Sequence, residues 1–355
     1  MRYRNLGATG MQVSAICLGA MAFGAGNEDP DDCARVVHLA LDSGVNFIDT
    51  ADRYSNSRSE EILGKALVGR RDEVVLASKF GLPAGPGLNE RGGSRRWIER
   101  AVDASLRRLQ TDWLDLYQLH SPDFGTDLDE TLGALSDLVH KGKVRAIGAS
   151  NTPPERIVEG QWVAERRGHV KFRVEQPQYS LFVRGAERSV FPTLERYGMG
   201  AIVWSPLNGS WLTGRYRSDD DVRNHSARAK RSPYRFDLAQ PGNQAKYALL
   251  AELEKIAADA GISVTHLALA FVMTHPAVTA AIVGPRTYEQ MADLIAGAPV
   301  ELDDATLDRL DELVPPGGVV NREDARNPSV GLAEGAVRRR AVGRRAAAEQ
   351  ATAEP

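Results

Sequence analysis

Cysteine is close to absent from this sequence. Cys17 and Cys33 are the only two in 355 residues, too few for a disulfide framework and suited to a reducing cytoplasm. No run of about 20 apolar residues occurs, so no membrane span is expected. Met1-Arg2-Tyr3-Arg4-Asn5 lacks the apolar core of a secretory signal. Charge of one sign is not in excess either: the net charge is -3, which gives no electrostatic ground for a nucleic-acid or membrane partner. The seven histidines are scattered without paired spacing, so no metal site is expected. The Gly-x-Gly-x-x-Gly turn of a doubly wound dinucleotide fold is missing, and Gly19 to Gly26 does not fit it.

What is present is an alternation. The hydrophobic fraction of 43% is enough for a sizeable core, and the mean hydropathy of -0.32 is mildly polar. Turn residues Gly7 to Gly10 between Tyr3–Leu6 and Met11–Val13 predict a small N-terminal β-hairpin. A first buried strand, Ala15 to Leu18, ends at Gly19. Asp29-Pro30-Asp31-Asp32 reads as a helix start, with a capping aspartate, proline at the first position and acids in the first turn. Phe47 to Asp49 is the second strand, and Ser57-Arg58-Ser59-Glu60 predicts a capping box for the helix that follows. Further strands are expected at Val74–Ser78, Trp113–Leu119, Val144–Gly148, Phe172–Glu175, Ala201–Trp204 and Ala280–Val283. Ser94 and Thr152 sit at helix starts, and Ser263 opens a helix rich in alanine and leucine. Residues 217–242 show no periodicity and read as a long loop after the seventh strand.

Eight strand-like segments alternating with helices predict a parallel sheet covered by helices. The count of eight favours a closed (β/α)8 TIM barrel, and about 250 residues or more is ordinary for that fold. Domain boundaries follow: 1–320 as the barrel, and 321–355 as a largely disordered tail rich in alanine, arginine and glutamate. Functional side chains of such barrels sit where strands end. Asp49, Lys79 and His120 stand at or just past three strand ends, with Tyr54 in the loop between the first two. Each alone reads as well as a satisfied polar residue at a rim. A barrel would bring all four to one mouth.

The sequence is similar to the aldo-keto reductases, in the branch that includes the potassium-channel β-subunits and related bacterial reductases. The resemblance runs from residue 3 to about 314. It is carried, in order, by LGATGMQVSAICLGAMAFG, FIDTADRYSNSRSEEILGKAL, SKF, SLRRLQTDWLDLYQLH, VRAIGASN, EQPQYS, WSPL and IVGPRTYEQM.

The resemblance implies a catalytic tetrad of Asp49, Tyr54, Lys79 and His120. Carbonyl reduction needs a hydride at carbon, supplied by a nicotinamide, and a proton at oxygen. Tyr54 would be the acid. A free tyrosine, with a pKa of roughly 10, yields its proton reluctantly, and a cationic Lys79 beside it would ease the loss. Asp49 would be the counter-ion of Lys79, and His120 would orient the carbonyl oxygen. Run backwards, the same groups oxidise an alcohol.

The resemblance also implies NADP(H) as cofactor. Ser150, Asn151 and Gln176 would bind the carboxamide and Trp204 would lie on the nicotinamide face. Ser205, Pro206, Leu207, Gly209, Leu212 and Gly214 would wrap the pyrophosphate, and Gly19 would be a further cofactor-binding position. Gly284, Arg286, Gln290 and Asp293 would form the adenosine end, where Arg286 can bind the 2′-phosphate. Two departures stand out. Asp293-Leu294 replaces the usual Glu-Asn, and Trp211 is bulky for its loop. Thr287-x-x-Gln290 also reads as a capping box, which would make Gln290 structural. The substrate is expected to be a small carbonyl or alcohol, in a pocket built from Pro122–Thr126 and 217–242. Two alternatives stay open: a redox-sensing binding subunit that holds NADP(H), and the same enzyme working as an alcohol or sugar dehydrogenase. The sequence is silent on oligomeric state.

Overall fold

The computed structural model describes residues 1–216, 218, 220–221 and 233–325. Two antiparallel strands, β1 (Tyr3–Asn5) and β2 (Gln12–Ser14), form the expected hairpin. Eight parallel strands follow: β3 (Ile16–Gly19), β4 (Phe47–Asp49), β5 (Val75–Phe80), β6 (Leu114–Leu119), β7 (Val144–Ser150), β8 (Val174–Gln176), β9 (Gly200–Trp204) and β10 (Val278–Val283). They close in chain order, with β10 pairing β3, into the (β/α)8 barrel that the alternation predicts.

Because strand side chains alternate, the barrel has two cores. Outward residues such as Ile48, Leu76, Tyr117 and Ile147 pack under the helices. Inward residues Cys17, Phe47, Ala77, Leu116, Ala146, Val174, Ile202 and Ala280 fill the interior. Leu6 and Val13 of the hairpin join this second cluster and plug the lower end. Counting on by two from the inward set gives Gly19, Asp49, Lys79, Gln118, Gly148, Gln176, Trp204 and Ile282, and by four gives His120 and Ser150. The upper layer of the interior is therefore polar, and it is this layer that faces the mouth.

The helices follow from local chemistry with two exceptions. Helix α1 (Pro30–Asp42) starts as expected, with Asp29 accepting from the Asp31 N–H. Ser94 caps α3 (Arg95–Leu109), and Ser263 caps the helix Val264–Thr274. The capping box at Ser57 does not form before α2 (Arg58–Ala66). Ser57 is left-handed, its hydroxyl donates to the Asp52 carbonyl, and Glu60 turns inward to Ser78 and Arg108. Arg108, a partly buried cation, competes for Glu60 and wins over a solvent-facing cap. Nor does Thr152 cap the helix Pro154–Arg167, whose N-cap and first position, Pro153 and Pro154, are prolines with no N–H to satisfy.

Residues 217, 219 and 222–232 of the expected long loop lie outside the described residues, as does the tail from 326 onward. The helix Pro241–Asp259 begins before the predicted loop ends. The barrel unit also reaches further than residue 320. Asn321 and Asp324 are buried, and Asp324 bonds to Lys246 Nζ at 2.7 Å and to Arg235 Nε at 3.1 Å. Among the described residues no single helix is long and apolar enough to cross a membrane.

Candidate active site

The mouth is organised by one buried ammonium. Lys79 has no exposed surface. Its Nζ donates to Asp49 Oδ2 at 2.5 Å, to the Thr50 carbonyl at 2.8 Å and to the Tyr54 hydroxyl at 3.2 Å. A lysine has three protons, and all three are used. Burial works against the cation, but Asp49 and Tyr54 outweigh it, so the Lys79 pKa lies above the ordinary lysine value. Asp49 is itself held from the other side, where its Oδ1 accepts from Gln176 Nε2 at 2.9 Å and from Gln118 Nε2 at 3.4 Å.

Tyr54 is half-buried. Because Lys79 donates to its oxygen, the hydroxyl proton is turned elsewhere. His120 is nearly buried at 7% exposure, and its ring meets that of Tyr54 edge-on, with centroids 5.5 Å apart at 83°. The four residues of the expected tetrad thus come together, from β4, β5, the end of β6 and one loop.

The expected carboxamide group is contiguous with them. Asn151 Nδ2 donates to the His120 carbonyl at 3.1 Å and to Ser150 Oγ at 2.9 Å, and Trp204 Nε1 donates to Asn151 Oδ1 at 3.1 Å. Asn151 has a φ of 58°, a backbone state that asparagine tolerates better than most residues. Under this loop lies Glu175, fully buried, whose Oε1 accepts from the Thr152 N–H at 2.8 Å.

Gln118 was not singled out from the sequence. Its signal is a polar residue two positions beyond inward Leu116 and two before His120. Gly148 beside it leaves the necessary room, since a Cβ there would stand 3.2 Å from Gln118 Cγ and 2.8 Å from the Val174 carbonyl.

The other expected cofactor positions divide into two groups. In the loop after β9, Ser205, Asn208, Gly209 and Ser210 have φ of 60°, 46°, 67° and 84°, and Ser205 Oγ accepts from the Gly209 N–H at 3.1 Å. Pro206 and Leu212 are buried, whereas Leu207 and Gly214 are half-buried. Trp211, bulky for its position, is buried by stacking on Phe236 at 5.6 Å and 8°, with Lys246 Nζ 4.4 Å from its centroid. The second group lies beyond β10. Gly284 is exposed and Arg286 half-buried. Gln290 Oε1 accepts from the Arg286 N–H at 2.8 Å, and Thr287 Oγ1 from the Gln290 N–H at 3.3 Å, so Gln290 serves the helix start. Asp293 Oδ1 lies 3.1 Å from His266 Nε2. Gly19 is tight against β10, where a Cβ would come within 2.6 Å of Ile282 Cγ2. No group of histidine, cysteine or carboxylate side chains able to hold a metal occurs among the described residues.

Burial pushes the Glu175 carboxyl up to about 8. A native pKa above the unfolded one means that the folded state binds the extra proton. Stability is then full below about pH 4.5 and falls as pH rises through about 8. Glu175→Gln keeps the acceptor for Thr152 and removes the charge. It should flatten the fall of unfolding free energy between pH 5 and 8, by up to about 1.4 kcal/mol per pH unit. Denaturant titrations at several pH values check this, and parallel slopes for the two proteins contradict it.

The profile of the Aldo/keto reductase family matches residues 15–315. The chain is 38% identical over 331 residues to the "Uncharacterized oxidoreductase YrpG" of Bacillus subtilis, covering 90% of this chain and 98% of that one. It is 34% identical over 305 residues to the "Aldo-keto reductase YhdN" of the same organism, covering 83% and 88%. It is 32% identical over 327 residues to a "Probable voltage-gated potassium channel subunit beta" of Arabidopsis thaliana, covering 88% and 97%. With this profile across the barrel and relatives matched over nearly their whole length, the chain belongs to the aldo/keto reductase family of oxidoreductases.

Proposed function

We propose that this protein reduces aldehydes or ketones to alcohols with NADPH, with Tyr54 as the general acid. The observation that carries the reading is the placement of the Lys79 ammonium, tied to Asp49 at 2.5 Å on one side and to the Tyr54 hydroxyl at 3.2 Å on the other. Bound NADPH would supply the hydride. Tyr54 holds the proton that must reach the carbonyl oxygen. As that proton leaves, the phenolate that forms is stabilised by the adjacent cation. His120, edge-on to Tyr54, is placed to orient the oxygen that accepts the proton.

The residues present suit this cofactor. The Asn208 side chain in the loop after β9 is buried, and neither its Oδ1 nor its Nδ2 has a hydrogen bond, as expected for a loop that completes its polar contacts on a ligand. The Arg286 guanidinium is half-buried and forms no ion pair with a carboxylate among the described residues. A guanidinium near a helix N-terminus is electrostatically poor unless an anion is expected there, and a 2′-phosphate is such an anion. Ser150, Asn151, Gln176 and Trp204 would take the nicotinamide end, and Ser205 to Gly214 the pyrophosphate. The cysteines suit a cytoplasmic setting, since both are free and buried.

If Tyr54 is the acid, Tyr54→Phe keeps NADPH binding and lowers kcat by about 10²- to 10⁴-fold. Steady-state NADPH oxidation with a panel of aldehydes, ketones and quinones measures this. More than a tenth of wild-type kcat on every active substrate would remove Tyr54 from the role. A wild type that binds NADPH and turns over none of the panel would favour a binding subunit instead. For the cofactor, Arg286→Ala should weaken NADPH binding at least about tenfold, or about 1.4 kcal/mol, and leave NADH nearly unchanged. Fluorescence-quenching titrations with both cofactors decide. Equal losses mean that Arg286 is structural, and no loss for either puts the phosphate elsewhere.

A further inference from the structure

The loop that carries Tyr54 is strained. Ser55, Asn56 and Ser57, none of them glycine, have φ of 52°, 52° and 71° in succession. Each left-handed residue of this kind costs on the order of 1–2 kcal/mol, so something must hold the loop. Asp52 does so with its backbone. Its N–H donates to the Lys79 carbonyl at 3.0 Å, and its carbonyl accepts from Ser57 Oγ at 2.7 Å. One residue thus ties the catalytic lysine's strand to the far end of the Tyr54 loop.

The side chain of Asp52 is oddly placed for an aspartate. It is 1% exposed, and neither carboxyl oxygen has a hydrogen bond of ordinary geometry. The groups around it come from four elements. Glu60 of α2 is also fully buried and already takes Arg108 of α3 at 2.6 Å and Ser78 Oγ of β5 at 2.5 Å. The Tyr117 hydroxyl of β6, buried without a hydrogen bond, feels the Asp52 charge. Arg53 follows in the loop itself. Two carboxyls thus share a region with one partly buried cation, Arg108, and Glu60 has claimed it. Under those conditions the second carboxyl keeps its proton.

We propose that Asp52 is a positioning residue for catalysis: as a neutral, buried carboxylic acid it seats the Tyr54 loop against Lys79, and its ionisation unseats that loop. A charged Asp52 would be a second anion in a dry site beside Glu60, and it relieves that cost by moving toward water. The bonds to Lys79 and Ser57 go with it, and the strained turn relaxes away from the ammonium. Burial, then Glu60, push the Asp52 carboxyl up to about 8, against the weaker pull of Arg108 and Arg53.

The proposal rests on the reading of Tyr54 as the acid, and its test is built to separate the two. The pH dependence of kcat at saturating NADPH is compared between wild type and Asp52→Asn, which fills the same space and cannot ionise. At pH 9 a single group titrating near 8 is only about one-tenth protonated. Wild type should therefore lose about tenfold relative to its own pH 7 value, while the asparagine variant keeps most of its activity. Superimposable profiles overturn the proposal. Should the variant fail to fold, wild-type protein labelled with carboxyl-¹³C aspartate is titrated by NMR. One aspartate titrating near pH 8, with Tyr54 ring signals moving in the same transition, is the expected result. No aspartate titrating above pH 7 overturns the proposal. The NMR readout needs no turnover. A protein that shows the coupled transition yet reduces no carbonyl compound keeps Asp52 as the seat of the loop and removes the proposed activity.

Discussion

A lysine side chain without solvent exposure is the constraint on which the upper half of this barrel depends. Stripping an ammonium of water costs several kcal/mol even after relaxation, and the cost is offset only if every proton finds an acceptor. Lys79 finds Asp49, the Thr50 carbonyl and Tyr54. Asp49 then needs its own second oxygen satisfied, which brings in Gln176 and Gln118. Gln118 needs room, which Gly148 leaves. A chain of requirements thus runs round the inner layer from β4 to β8, and each step is set by strand register. An apolar pair of the same volume would hold a barrel at least as well. The pair is better understood through the phenol at its open end than through stability.

Support for that phenol also comes from outside the barrel. Buried Glu60 and Ser78 and partly buried Arg108 form a cluster behind β5, and Asp52 reaches from the Tyr54 loop toward it. On the opposite side Glu175, facing outward from β8, holds the N–H of Thr152 and so the left-handed turn at Asn151. Glu175 fixes its loop through a carboxyl oxygen, whereas Asp52 ties the Tyr54 loop through its backbone N–H and carbonyl. A strained backbone persists only where its surroundings over-determine it, and the Glu175 carboxyl and the Asp52 backbone are part of what does so.

Much of this was legible in the chain. The eight strands, their order and the hairpin follow from alternating apolar runs and turn residues. Asp49, Lys79 and His120 were visible because each is polar where an apolar strand stops. What escaped is pairing between residues far apart in sequence. Ser57-x-x-Glu60 has the pattern of a cap, but pattern cannot say that Arg108, forty-eight positions on, takes the glutamate. Asn321–Ala325 reads as the start of a polar tail, whereas Lys246 and Arg235 fasten it through Asp324. Trp211 looked too large for its loop until Phe236 and Lys246 supplied the faces that bury it. Gln290 carried two readings, and its Oε1 accepts from the Arg286 N–H, a contact its sequence pattern does not name.

The central claim is that a fixed positive charge at Lys79 makes the Tyr54 proton transferable. Replacing that charge with an apolar side chain of similar length is the most direct test. The pH–rate profile of Lys79→Met is measured against wild type, after confirming that the variant is folded and binds NADPH. The account predicts a loss of at least about 10²-fold in kcat near neutral pH and a profile displaced toward higher pH, because the phenol no longer has a cation beside it. A folded, cofactor-binding Lys79→Met protein with the wild-type profile and comparable kcat would contradict it.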